Sequence, residues 1–299
     1  MPLVNYSSSS SEDEAPPKRR KTARAASAAI GERAEDDMPP LPPGFHDMYA
    51  STVRQSVVDD PSLHQGRKRQ TPHVAGQWPS HVYIEWIPTK SQHKFMTNFL
   101  TNVQDELGSD MELHKFLTSD LGAPLPLHIS LSRPLSLSTA EKDDFRDQVS
   151  DAIRSGGVHR FAVSPRDLAW YKSPDSDRTF LVMRVEAPCK SHPTGGANPE
   201  LLHLLRRCNA VAERFKQPRL YHSTGAESAF HISVAWTFGL SGDDAAARTL
   251  DMAREKHVQD ARSWEIDVSA VKVKIGNVIS SVDLVGSRPS GQGHFLLGE

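Results

Sequence analysis

The tripeptide His-x-Ser occurs twice in this chain, as His128-Ile129-Ser130 and as His231-Ile232-Ser233. Each copy lies in an apolar stretch, LPLHISL in the first case and FHISVAW in the second. Successive side chains of a β-strand point to opposite faces, so each histidine shares a face with its serine while the isoleucine points away. Two such strands side by side would present two imidazoles and two hydroxyls on one surface. The pattern therefore predicts a paired acid/base site for a phosphate group.

A single His-x-Ser carries little information, because the chain contains fourteen histidines. The loosely similar stretches His192-Pro193-Thr194 and His222-Ser223-Thr224 lack apolar alternation, and we interpret them as chance. The alternative for the motif pair is that both are structural strand histidines whose serines cap nearby backbone. Shared strand context and the same middle residue favour a functional site. Three further histidines have no evident partner in the sequence and are assigned structural roles: His81, His159 and His203.

The 299-residue chain has a formal net charge of -2, so binding to nucleic acid would require a local basic patch. Its two cysteines, Cys189 and Cys208, lack metal-ligand spacing and suit a reducing compartment. No apolar run approaches the roughly 18 residues of a membrane span, and the N-terminus lacks the apolar core of a signal peptide. We expect no membrane association, and a monomer.

The chain divides into a largely disordered N-terminal tail over residues 1–75 and a packed domain over 76–290. The tail's Lys18-Arg19-Arg20-Lys21 cluster fits a nuclear import signal and fits a solvated charge run equally well. Strands and helices interleave in the domain, including a short helix near 111–118 and a strand over about 264–275. The alternating strands favour an α+β fold of antiparallel sheets and flanking helices, arranged as two lobes around a central groove.

Several spaced segments accompany the two motifs: Gly76-Gln77-Trp78 before His81-Val82-Tyr83, Leu127–Ser132, Arg178-Thr179-Phe180, Leu220-Tyr221 and Lys274-Ile275-Gly276-Asn277. Together they resemble the 2H phosphoesterase superfamily, and within it the U6 small nuclear RNA phosphodiesterase family of 3′-end-trimming exoribonucleases. The resemblance covers about 76–285. It implies a two-lobed 2H phosphoesterase fold, a nuclear location and a single-stranded, uridine-rich RNA 3′ end as substrate.

RNA carries its own nucleophile, the 2′-hydroxyl, so cleavage needs a base, an acid and donors to the phosphoryl oxygens. Two histidines with ordinary pKa values of about 6.5 can supply the base and the acid near neutral pH. By analogy with the family, His231 is the base, His128 is the acid, and Ser130 and Ser233 bind the phosphate; the reverse assignment of the histidines stays open. No metal-ligand cluster accompanies the motifs, so we expect no metal and no cofactor. The product would be a 2′,3′-cyclic phosphate or a 3′-phosphate.

Reading single-stranded RNA requires aromatic surfaces on which bases stack. The resemblance assigns base stacking to Tyr221, and Trp170 or Tyr171 are candidates for the other side of the base, with core packing as the alternative for each. Two other functions remain open. One is a different 2H cyclic phosphodiesterase, acting on tRNA-splicing products or small cyclic nucleotides, and the other is a non-catalytic RNA-binding splicing component.

Overall fold

The computed structural model describes residue 74 and residues 76–119, 121–174, 176–187, 198–221, 229–240, 243–252 and 260–286. The N-terminal basic cluster and Cys189 lie outside these ranges. The strands are β1 Gln77–Trp86, β2 His114–Lys115, β3 Leu127–Ser130, β4 Leu135–Ser138, β5 Phe161–Lys172, β6 Arg178–Glu186, β7 His231–Phe238, β8 Ile266–Val268, β9 Ala270–Ile275 and β10 Val278–Asp283. The helices are α1 Lys90–Leu107, α2 Lys142–Arg154, α3 Pro199–Arg214 and α4 Asp243–Met252, with a 3-10 turn at Asp260–Ser263.

The strands form a ten-stranded sheet in the order β10-β9-β1-β3-β7-β6-β5-β8, with β4 paired to β1 and β2 paired to β7. Every pair of named strands is antiparallel. The sheet has two halves, β10-β9-β1-β3 and β7-β6-β5-β8, and they join where β3 pairs with β7. The predicted α+β class and its two-lobed antiparallel arrangement are confirmed.

The helices flank the sheet in two pairs. Helix α1 begins with a capping box, in which Thr89 Oγ1 accepts from the Gln92 backbone N–H and Gln92 Oε1 accepts from the Thr89 backbone N–H. Helices α1 and α4 pack together, as do α2 and α3. Phe145 of α2 meets Phe215, just after α3, edge to face at 5.3 Å. No helix in the described ranges combines the length and the apolar composition that a membrane crossing requires.

Two predicted elements are wrong. The segment near 111–118 is not helical, because His114 and Lys115 pair with Trp236 and Ala235 of β7 instead. A helix of so few residues gains too few hydrogen bonds to offset its nucleation cost, whereas a strand edge offers partners at once. The strand expected over about 264–275 is divided at Ser269. Strand β8 before it pairs with β5, and β9 after it pairs with β1, so this segment crosses from one lobe to the other.

A close contact joins two of the segments on which the family resemblance depends. Gly276 and Asn277 form the two-residue loop between β9 and β10, and Gly276 has a φ of +58°. The angle φ is positive at the first loop residue, Gly276, and not at the second, Asn277. This is the pattern of a type II′ hairpin turn, which favours glycine at the first loop position. The Trp78 ring lies over this glycine, and its Nε1 donates to Thr139 Oγ1 at 2.9 Å. The tryptophan thus ties the start of β1 to the last hairpin.

We predict that Gly276→Ala destabilises the protein more than Gly108→Ala does. Both positions have positive φ, but a Cβ at Gly276 would lie 2.8 Å from Trp78 Cε3, while one at Gly108 would meet no atom within 4 Å. The difference in the free energy of unfolding, measured by urea titration, should be about 1–3 kcal/mol, as for other overpacked sites. Equal losses of stability in the two variants would show that the close approach of residue 276 to Trp78 has no energetic cost.

Candidate active site

The two His-x-Ser motifs lie on adjacent strands, with Ile129 of β3 directly opposite Ile232 of β7. Both isoleucines are fully buried on the helix side of the sheet. In an antiparallel pair this register places each histidine beside the serine of the other motif, on the opposite face. Directly opposite Cβ atoms are about 5 Å apart and diagonal ones about 7–8 Å. The four polar side chains therefore surround a space suited to one phosphodiester.

His231 is held in one tautomer by its backbone contact. Its Nδ1 lies 2.7 Å from the Ala229 carbonyl oxygen, which can only accept, so Nδ1 carries the proton and donates it. The neutral ring therefore has its lone pair on Nε2. The hydroxyl of Tyr221 donates to the same carbonyl at 2.9 Å and lies 3.4 Å from Nδ1. Burial lowers the pKa of His231, although the hydrogen bond to Ala229 acts in the opposite direction. The lowered pKa favours the neutral, proton-accepting form of the ring.

His128 lies on the more open side of the site, and its side chain is exposed. Partial desolvation lowers its pKa to about 4, and protonation of the neighbouring His231 and the positive charge of Lys274 act in the same direction. Without a ligand, His128 therefore favours the neutral form. A bound phosphate anion would raise its pKa by the opposite charge effect.

A third histidine, His81, belongs to this cluster, which corrects the structural role predicted for it from the sequence. Its Nε2 lies 3.2 Å from Ser130 Oγ, and its ring meets the His128 ring edge to face at 5.3 Å. Burial, followed by repulsion from His128 and Lys274, lowers its pKa to about 3, so it is neutral. His81 and Ser130 are 49 residues apart in the chain, and no local pattern connects them.

Basic side chains lie on both sides of the histidines. Lys274 of β9 is opposite His81 in the sheet, and Arg184 of β6 is opposite His231. Arg184 makes a two-pronged ion pair with Asp167, from Nε to Oδ1 at 2.5 Å and from Nη2 to Oδ2 at 2.7 Å. Lys274 is the cation whose charge lowers the pKa of His81 and His128. It is therefore the basic group best placed to attract an anion to the histidines.

The structure brings two of the three predicted aromatic residues to this site. Tyr221 contacts His231 through its hydroxyl, and the Tyr171 ring, half exposed, lies 6.3 Å from the His231 ring. Trp170 is not at the site: it points to the other face of β5, where its Nε1 donates to Thr249 Oγ1 of α4 at 2.8 Å. Neighbouring strand residues point to opposite faces, so Trp170 and Tyr171 could not both face the groove.

This arrangement can accept a proton at His231 and exchange one at His128. Two serine hydroxyls and Lys274 are placed to stabilise negative charge between the histidines. Among the described residues there is no group of three or more His, Cys, Asp or Glu side chains that could hold a metal ion. The geometry suits general acid/base chemistry on a phosphate ester.

Comparisons with known proteins identify the family of this chain. A family model described as "HVSL: Uncharacterised conserved protein" matches residues 39–283. The chain is 37% identical over 276 residues to the U6 snRNA phosphodiesterase 1 of Neurospora crassa, covering 84% of this chain and 76% of that protein. It is 30% identical over 200 residues to the Bos taurus protein of the same name, covering 67% of this chain and 65% of that one.

Among solved structures, Usb1 of Kluyveromyces marxianus has a similar fold, with a TM-score of 0.51 and 17% sequence identity. The match covers 69% of this chain and 98% of that one. With a family-model match over most of its length and a relative 37% identical over 84% of it, this chain belongs to the U6 snRNA phosphodiesterase family.

Proposed function

We propose that this protein is a metal-independent 3′-to-5′ exoribonuclease that trims the oligouridine 3′ end of U6 small nuclear RNA. The observation that carries the proposal is the pairing of β3 with β7, which places each motif histidine beside the serine of the other motif. The names of the relatives in Neurospora crassa and Bos taurus support the choice of RNA.

In the proposed reaction His231 Nε2 accepts the proton of the 2′-hydroxyl. The 2′-oxygen then forms a bond to phosphorus while the bond from phosphorus to the 5′-oxygen breaks. His128 donates a proton to that departing oxygen, which leaves as a 5′-hydroxyl, and the shortened RNA ends in a 2′,3′-cyclic phosphate. Ser130 and Ser233 donate hydrogen bonds to the phosphoryl oxygens as negative charge grows there.

His128 must be protonated to act as the acid, although its pKa is lowered in the free protein. The substrate resolves this conflict, because a phosphodiester bound between the rings adds a negative charge that favours the imidazolium form. Exposure of His128 gives solvent protons access to it. Proton uptake then accompanies substrate binding. His231, fixed with its proton on Nδ1, keeps its Nε2 lone pair for the 2′-hydroxyl.

Tyr221 and Tyr171 are the proposed base-stacking residues, since both lie against His231. The preference for uridine and the nuclear location follow from the family resemblance, with which the Lys18-Arg19-Arg20-Lys21 cluster is compatible. We propose that the protein acts as a monomer, with the catalytic domain over residues 76–290 and the N-terminal tail outside it.

The direct test is to incubate the full chain with oligouridine-tailed U6 RNA ending in a cis-diol, in EDTA, and to determine the 3′ end by mass spectrometry. Shortened RNA with a cyclic phosphate supports the proposal, and a 3′-phosphate would show that the ring is opened in a second step. Action only on a preformed cyclic phosphate would identify a different 2H phosphodiesterase. Binding without cleavage would identify an RNA-binding component.

We predict that His128→Ala and His231→Ala each lower kcat by at least about 100-fold, the usual contribution of a general acid or base. The exposed His159, to which the sequence assigns a structural and not a catalytic role, provides the control His159→Ala, which should trim normally. Thermal unfolding of all three variants should show that the fold is kept. Normal trimming by either motif variant would contradict the mechanism.

We predict that Lys274→Gln shifts the alkaline limb of the pH profile of kcat/KM to higher pH. Removing this positive charge raises the pKa of His128, whereas Lys274 is not among the causes of the His231 shift. An acid loses activity as the pH rises through its pKa, so the alkaline limb should move to higher pH while the acidic limb stays. Movement of the acidic limb instead would make His128 the base. Lys90→Gln, on the exposed first residue of α1, is the control.

We predict that His81→Leu lowers kcat about tenfold, because one hydrogen bond to Ser130 is lost. If His81 acts by positioning Ser130, the same substitution in a Ser130→Ala background should cost little more, which a double-mutant cycle measures. His81→Gln, which keeps a polar group near Ser130, should recover part of the activity. Fully additive losses would contradict this positioning role.

A further inference from the structure

The face of the sheet that carries the motifs continues beyond them along β7. Ser233 pairs with Val182 of β6, but the next pair joins Ala235 to Leu181, so Val234 is an extra residue in β7. Such a bulge reverses the alternation of faces in one strand only. Trp236 and Phe238 therefore lie on the same face as His231 and Ser233.

These two residues form an aromatic strip with three neighbours, His114 of β2 and Arg178 and Phe180 of β6. The His114 ring stacks on Trp236 at 4.0 Å, and Phe238 meets Trp236 edge to face at 4.9 Å. The Arg178 guanidinium lies 5.0 Å from the centre of the Phe180 ring and 5.4 Å from that of Trp236. Trp236 is buried, while 40% of Phe238 is exposed. The strip thus has a buried ring at Trp236 and an open aromatic surface at Phe238, and the Arg178 guanidinium lies next to the Trp236 ring.

We propose that the aromatic strip binds the part of a single-stranded RNA substrate that lies 5′ of the scissile phosphate. A base would stack on Phe238, and a phosphate would contact Arg178. An exoribonuclease holds the 3′ end at its histidines, so any RNA extending along the same face must be the 5′ side of the substrate. This inference rests on the proposed function.

Three features support RNA as the occupant. The strip is continuous with the motif face, its aromatic rings accept any base, and its arginine matches the charge of a phosphate. Glu112 lies at one edge, with its carboxylate 3.7 Å from His114 Nδ1 and 81% exposed, so the phosphate is expected at Arg178 and not at His114. From His231 to Phe238 the strand extends about 23 Å, so a diuridine bound at the histidines cannot reach Phe238.

The test compares a diuridine with a long oligouridine as substrates for Phe238→Ala and Arg178→Gln. Phe238→Ala should raise KM for the long substrate about tenfold, the usual effect of losing one stacked base, and leave the diuridine unaffected. Arg178→Gln should reduce the slope of log KM against log salt concentration by about 0.7 for the long substrate alone. Val278→Ala, at an exposed site on β10, and Arg154→Gln, on an exposed site of α2, are the controls.

If the wild type cleaves both substrates and the variants keep its KM for the long one, the strip is not an RNA site, although the trimming activity stands. Equal losses on both substrates would also overturn the inference, since the effect would then be on the histidine site. If the wild type cleaves neither substrate, the proposed function fails. In that case, binding of a fluorescent oligouridine still decides on the strip: weaker binding by the variants supports it, and unchanged binding overturns it.

Discussion

The packing of Ile129 against Ile232 determines the geometry of the whole site. These two buried side chains fix the register of β3 on β7, the strands at which the two halves of the sheet meet. A shift of one residue in either strand would turn its histidine and serine into the core and its isoleucine into solvent. The cost of burying two polar side chains and exposing an apolar one excludes that register. The hydrophobic core thus positions the histidines and serines on the opposite face of the sheet.

The surroundings of the motif face destabilise the charged forms of its histidines. The imidazoles of His81, His128 and His231 share this face, and burial lowers the pKa of each, with the charge of Lys274 adding to the shift for His81 and His128. A phosphodiester bound among these neutral rings brings a negative charge that favours protonation of an imidazole. Local conflict of this kind is typical of a functional site on an otherwise consistent fold.

Strand β7 connects several parts of the molecule. It pairs with β2, β3 and β6, it carries the second motif, and its bulge at Val234 brings Trp236 to the motif face. The backbone carbonyl of Ala229, just before β7, fixes the tautomer of His231 and also accepts from Tyr221. One strand therefore contributes the proposed base, the serine proposed to bind the phosphate, and Trp236 and Phe238 of the aromatic strip, so a change in its twist or register would affect all three.

The sequence by itself determined the features that depend on local alternation and turn chemistry. The two motif strands, the α+β class and the Gly276-Asn277 turn all follow from neighbouring residues. Only the tertiary structure decided which strands lie side by side. It brought His81 to Ser130, directed Trp170 toward α4, and made His114 part of a strand. Alternation defines the two faces of a strand but not its partner, because pairing is chosen by contacts between residues far apart in the chain.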